Sequence, residues 1–106
     1  MDDLPTHEAF SKNLNTKFQV QLDETNYVDV ELEHASELKV YPHQEEFSIV
    51  FLGPIETFLG QGVHSFKHDQ MGQFELFIVP IAQDEKGFHY QAVFNRIRAA
   101  TPTSAS

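Results

Sequence analysis

The chain has 106 residues, one domain's worth, and buries roughly 60 to 70% of its unfolded surface in a single core. With 16 acidic against 7 basic residues its formal charge is −9, which repels phosphate backbones and removes the electrostatic footprint of a nucleic-acid binder. It has no cysteine, which excludes a disulfide framework and thiolate chemistry, and its ten Phe and three Tyr put much of the apolar content into rings that favour pleated surfaces.

In chain order, the segment Thr6–Leu14 follows two acids and Pro5 and sets Phe10 and Leu14 four apart, which predicts a short amphipathic helix closing one end of a sheet. From Lys17 the period changes to two. Phe18, Val20 and Leu22 share a face, and after Asp23–Asn26 the pattern resumes with Val28, Val30 and Leu32 on one side and Asp29, Glu31 and Glu33 on the other, a hairpin with one wet face. The acidic stripe reads first as a solvated face that discourages edge pairing, and second as a surface for a basic partner.

Leu38 and Val40 predict a short strand before Pro42, and Phe47–Leu52 is apolar on both sides, as a central strand is. Gly53 and Pro54 end that strand. Residues 55–62, with Gly60, Gln61 and Gly62, read as a loop long enough to cross an open end of the fold.

The C-terminal third holds two D-x-x-G turns, Asp69–Gly72 and Asp84–Gly87, between strand-like segments, which predicts a three-strand meander. Taken as four-residue loops, these turns oppose Phe66 to Glu75, His64 to Phe77, Ile81 to Tyr90, Val79 to Ala92 and Phe77 to Phe94. One face then carries Phe66, Phe77, Val79, Ile81, Tyr90, Ala92 and Phe94 as the core, and Glu75 meets Arg96. Pro80 fits this arrangement if the preceding strand has left the sheet by Gly60–Gly62, so that its missing donor faces an unpaired side.

About six to eight short antiparallel strands with one N-terminal helix and no crossover helices predict a mostly β fold, a small barrel or sandwich. The single domain spans residues 1–98, and the small, polar, proline-containing stretch 99–106 is expected to be disordered or extended. The absence of a leader pattern and of an apolar run near 20 residues predicts no membrane partner and a cytoplasmic location.

No reactive constellation emerges. His64 and His68 have the spacing that converges two imidazoles on a helix, but four residues of strand span roughly 13 Å, too far for one ion, so no metal is assigned. His64 is expected at the core margin and His68 at the turn beside Asp69. No nucleophile elbow, phosphate-cradling glycine loop or complete zinc motif occurs, so the reading leans away from an enzyme, with no catalytic residue and no cofactor. Gly53, Pro54, Gly60, Gln61, Gly62, Glu75 and Arg96 are the candidate interaction or pocket rim.

The strings Phe47–Pro54, Gln61–Gly62, His68, Gly72, Phe74–Ile81 and Tyr90–Arg96 resemble the bacterial domain-of-unknown-function family numbered 6916 over most of residues 10–97. The resemblance implies a small, mostly β bacterial domain without established activity, and an association with phage-tail-like or collar-type genes favours a structural role. The leading expectation is therefore a non-enzymatic protein-interaction or assembly module that binds a partner or itself. Behind it stand a small-ligand-binding barrel with an aromatic interior and, third, a metal-dependent enzyme using His64 and His68.

Overall fold

The computed structural model describes residues 5–97. A short helix, α1 (His7–Lys12), precedes seven strands: β1 (Lys17–Gln21), β2 (Tyr27–Ala35), β3 (Lys39–Tyr41), β4 (Gln44–Gly53), β5 (Gly62–His68), β6 (Gly72–Asp84) and β7 (Gly87–Ile97). Every pairing is antiparallel. The order β2-β1-β5-β6-β7-β4 closes on itself through a β2–β4 ladder, and β3 is appended to β4, giving a closed six-stranded barrel with an extra strand. Among the described residues closure leaves only β3 as a full edge strand, three exposed residues long and carrying Lys39, a combination that resists edge-to-edge pairing.

The barrel is filled by its own alternation. Phe18 and Val20, Val30 and Leu32, Phe47, Ile49 and Phe51, Phe66, and Tyr90, Ala92 and Phe94 all point inward and are buried. Along β4 the inward residues are buried and the outward Ser48, Val50 and Leu52 are half-buried, as expected of a strand flanked on both sides. At one end α1 begins at Thr6, whose hydroxyl accepts from the Ala9 amide at 3.1 Å, and drives Phe10 into the barrel. The Phe10 ring lies 5.4 Å from Phe94, 5.9 Å from Phe74 and 6.2 Å from Phe47, and is fully buried. Leu14, its expected companion, is instead exposed, because the helix stops at Lys12. At the other end the loop 54–61 crosses the opening and buries Leu59.

The expected meander register is corrected by one residue. His68 pairs with Gly72 and Phe66 with Phe74, so the first turn contributes three residues and not four. Because side chains alternate, that slip moves Phe74, Leu76 and Ile78 inside and turns Phe77 out. Phe77 is 53% exposed, on the opposite side of the sheet from Phe94, and Ile81 is 50% exposed.

In the second hairpin Asp84 pairs with Gly87, Pro80 with Tyr90 and Val79 with Gln91, with a bulge between Pro80 and Ala82, replacing the expected Ile81–Tyr90 and Val79–Ala92 pairs. Of the predicted core face, Phe66, Tyr90, Ala92 and Phe94 are core, while Phe77 and Ile81 are exposed and Val79 is half-buried. The β5–β6 ladder does end at Gly62–Ile78, short of Pro80, so the missing proline donor costs that ladder nothing. The boundary at 98 and the stretch 99–106 lie outside the described residues.

Candidate functional site

The open feature of the barrel is the seam between β6 and β7. Their ladder runs from Asp84–Gly87 to Val79–Gln91. Beyond it, Gly72–Ile78 pair only with β5, and Ala92–Ile97 pair only with β4. A bulge bends and twists its strand, and here it sits at the proline where the two strands begin to diverge. On the inner side Phe10 touches both Phe74 of β6 and Phe94 of β7, so aromatic packing, and not a backbone ladder, seals the barrel there.

On the outer side the seam is a cleft of about 450 Å³ lined by Glu75, Phe77, Val93, Phe94, Asn95 and Arg96, among others. Phe77 pairs with Val63 across β5–β6, and these two with Val93 and Ile97 expose apolar surface on adjoining strands. Glu75 forms no ion pair among the described residues. The expected Glu75–Arg96 partnership is not made: Arg96 stands opposite Glu45 on β4, and its guanidinium donates to the Pro5 carbonyl at 3.2 Å. A second surface cleft of about 280 Å³ adjoins Val93 and is bordered by Glu37, Lys39 and Glu46.

The other predicted rim residues gather at the far end of the barrel. Gly53 is buried where a Cβ would come 3.1 Å from the Tyr90 ring, and Gly87, at φ +144°, approaches so closely that a Cβ would lie 2.0 Å from the Gly53 carbonyl oxygen. These glycines serve close packing of β4 on β7. Pro54, Gly60 and Gln61 belong to the loop that roofs the barrel, and Gly62 begins β5. The predicted rim therefore divides between two ends, and Glu75 and Arg96 are its members at the seam.

His64 and His68 do not converge. The His64 Nε2 donates to the Gly60 carbonyl at 2.8 Å and ties the roof loop to β5. His68 is buried; its Nδ1 accepts from the amides of Gln70 and Met71 at 3.0 and 3.2 Å, and its Nε2 donates to the Thr16 hydroxyl at 2.9 Å, which itself donates to Asn13. Both nitrogens of His68 are used to order the turn and lock β5 to the helix–β1 connection. Among the described residues no group of three or more His, Asp or Glu side chains is arranged to hold a metal.

Sequence reasoning missed one charged cluster. His89 on β7 donates from Nδ1 to Glu33 of β2 and from Nε2 to Asp84 of β6 at 2.9 Å, across the outer faces of three strands. The hydrogen bond to Glu33, reinforced by Asp84 and opposed by burial, holds the imidazole above its usual pKa. The same contact with His89 and a bond from the Lys86 amide hold Asp84 below its usual carboxylate value. With both nitrogens donating, His89 offers no lone pair for base catalysis. The Asp84/His89 half was legible from the turn; Glu33 was not, because it arrives from 56 residues away.

The chemistry of the described residues is that of a filled, closed β-barrel in which His64, His68 and His89 are committed to structural hydrogen bonds and whose open surface is a partly unzipped seam. The chain belongs to the family described as a domain of unknown function (DUF6916), which matches residues 5–94. No curated protein and no solved structure matches it significantly. Among the described residues no helix is long and apolar enough to cross a membrane.

Proposed function

We propose that this domain is a non-enzymatic protein-interaction or assembly module of a bacterial, phage-tail-like system, working in the cytoplasm without nucleic-acid or membrane partners. The observation that carries the reading is the conjunction at the seam: exposed Val63, Phe77, Val93 and Ile97 beside two strands that leave their ladder. Apolar groups at the surface of a domain that has filled its own core mark contact sites. The bound states of His64, His68 and His89 support the non-enzymatic part, and the formal charge of −9 supports the exclusion of nucleic acid.

The small-ligand barrel has less support, because buried rings and aliphatic side chains occupy the interior and the 450 Å³ volume lies outside it. The test compares the natural chain with a Phe77→Ser/Val93→Ser variant by light scattering and by pulldown from native lysate. The expected result is self-association or a retained protein that the variant loses while keeping its fold. A strictly monomeric chain with nothing retained overturns the reading.

A further inference from the structure

We propose that His89 is a proton-operated latch on the last stretch of β6, residues 79–84, and that loss of one ring proton lets this arm open from the barrel wall ahead of the rest of the fold. The β5 ladder stops at Gly62–Ile78, so residues 79–84 pair with β7 alone, on one side. That ladder is interrupted by the bulge between Pro80 and Ala82, and Pro80 has no amide hydrogen to give it. Ile81, Ala82, Gln83 and Asp84 are exposed. Among the described residues, the bond from Asp84 to His89 at 2.9 Å is the arm's one side-chain hydrogen bond or ion pair to another element.

An imidazolium has two N–H groups and a neutral imidazole one. The cation therefore satisfies Glu33 and Asp84 together and ties the arm to β2 across the outer side of β4 and β7. When a proton leaves, one carboxylate faces a ring lone pair, and the surroundings select Asp84. The Glu33 side chain is 29% exposed against 51% for Asp84, and no other donor reaches it among the described residues. Asp84 keeps the Lys86 amide on its other oxygen at 2.9 Å and has solvent within reach. The neutral ring thus keeps its Nδ1–H on Glu33 and turns a bare Nε2 toward Asp84, which swings to water and frees the arm.

The charged groups around the ring carry both signs. Glu31 of β2 pairs with Leu52, which itself stands opposite His89; Glu85 and Lys86 lie in the adjoining turn, and Lys17 and Asp29 border the same surface. His34 follows Glu33 and pairs with Val50, while β4 contributes only Val50 and Leu52 between the two carboxylate-bearing elements. The hydrogen bond to Glu33, with Asp84 behind it and burial against it, holds the ring's proton above the usual histidine value. The latch is closed below about pH 6.5 and opens as pH rises through the higher native pKa.

The test follows the full chain by NMR from about pH 6 to about pH 10, across the histidine range and above it. Ring nitrogen shifts of His89 report its protonation and tautomer, and amide exchange, corrected for its intrinsic pH dependence, reports opening. The neutral ring is expected in the Nδ1–H form. Amides bonded across the 79–84 and 87–91 ladder are expected to be less protected than those of 47–51 throughout, and to lose protection about two- to fivefold as the ring titrates, the range of one exposed ion pair. Asp84→Asn keeps an oxygen for the Lys86 amide but removes the charge, so the arm's pH response is expected to disappear. Glu33→Gln removes the main support of the cation, so the arm is expected to loosen at lower pH.

Arm protection unchanged through the ring titration, arm amides exchanging only together with 47–51, or a neutral ring in the Nε2–H form each overturn the latch. So does a pH response that survives in Asp84→Asn or a midpoint that does not move in Glu33→Gln.

Discussion

The Tyr90 hydroxyl, fully buried in the barrel, accepts a hydrogen bond from the Leu59 amide at 2.8 Å, so a core ring of β7 holds down the loop that roofs the barrel. Leu59 itself is 3% exposed, and its amide has no water to turn to if that acceptor is removed. Burial also holds the phenol above its usual pKa, which keeps it neutral.

Replacing Tyr90 with Phe preserves the ring and strands the Leu59 amide. The expected cost is about 1 to 2 kcal/mol in chemical denaturation, the penalty for an unsatisfied buried donor. Amide exchange at Leu59 and along 54–61 should accelerate while β4 and β7 stay protected. Unchanged exchange in the loop would show that packing of Leu59 alone secures the roof.

The Glu33–His89–Asp84 cluster makes stability depend on pH in a defined direction. Folding raises the His89 pKa above 6.5, so the native state binds the proton more tightly than the unfolded chain. Its contribution is complete below about pH 6.5 and is lost as pH rises through the higher native value. Asp84 behaves oppositely: its pKa is lowered from 3.8, so its contribution holds above that value and fades as pH falls. Denaturation midpoints should therefore decline on going from mildly acidic to alkaline solution, and the slope in that window should flatten in His89→Gln. An identical slope in the variant would assign the dependence to other groups.

The one-residue register of β5–β6 predicts unequal effects at two phenylalanines three positions apart. Phe74 is inside, 7% exposed and packed on Phe10 and Phe66, so Phe74→Ser should cost about 3 to 5 kcal/mol. Phe77 faces out, and Phe77→Ser should cost no more than about 1 kcal/mol. Thermal and urea denaturation of the pair measure this directly, and the reverse order would restore the register in which Phe77 opposes Phe94.

What the residues determined alone was the local pattern. Period-two alternation in Phe18–Val20 and Val28–Leu32, the two-sided run at Phe47–Leu52 and the D-x-x-G turns made strands and hairpins legible, because alternation and turn chemistry act over a few neighbouring residues. Thr6 and Phe10 likewise announced the helix that closes one end.

Tertiary structure decided the rest. The turn after β5 is ordered by His68 accepting two amides, with its ring fixed by Thr16 from 52 residues away, and that long-range lock selects the three-residue turn and so the face on which Phe77 lies. Closure through β2–β4, the arrival of Glu33 at His89 and the divergence of β6 from β7 around Phe10 also join segments far apart in sequence. Register is a choice between local solutions one residue apart, and the burial of Phe74, Leu76 and Ile78 in the assembled barrel, together with the His68–Thr16 lock, favours the one adopted.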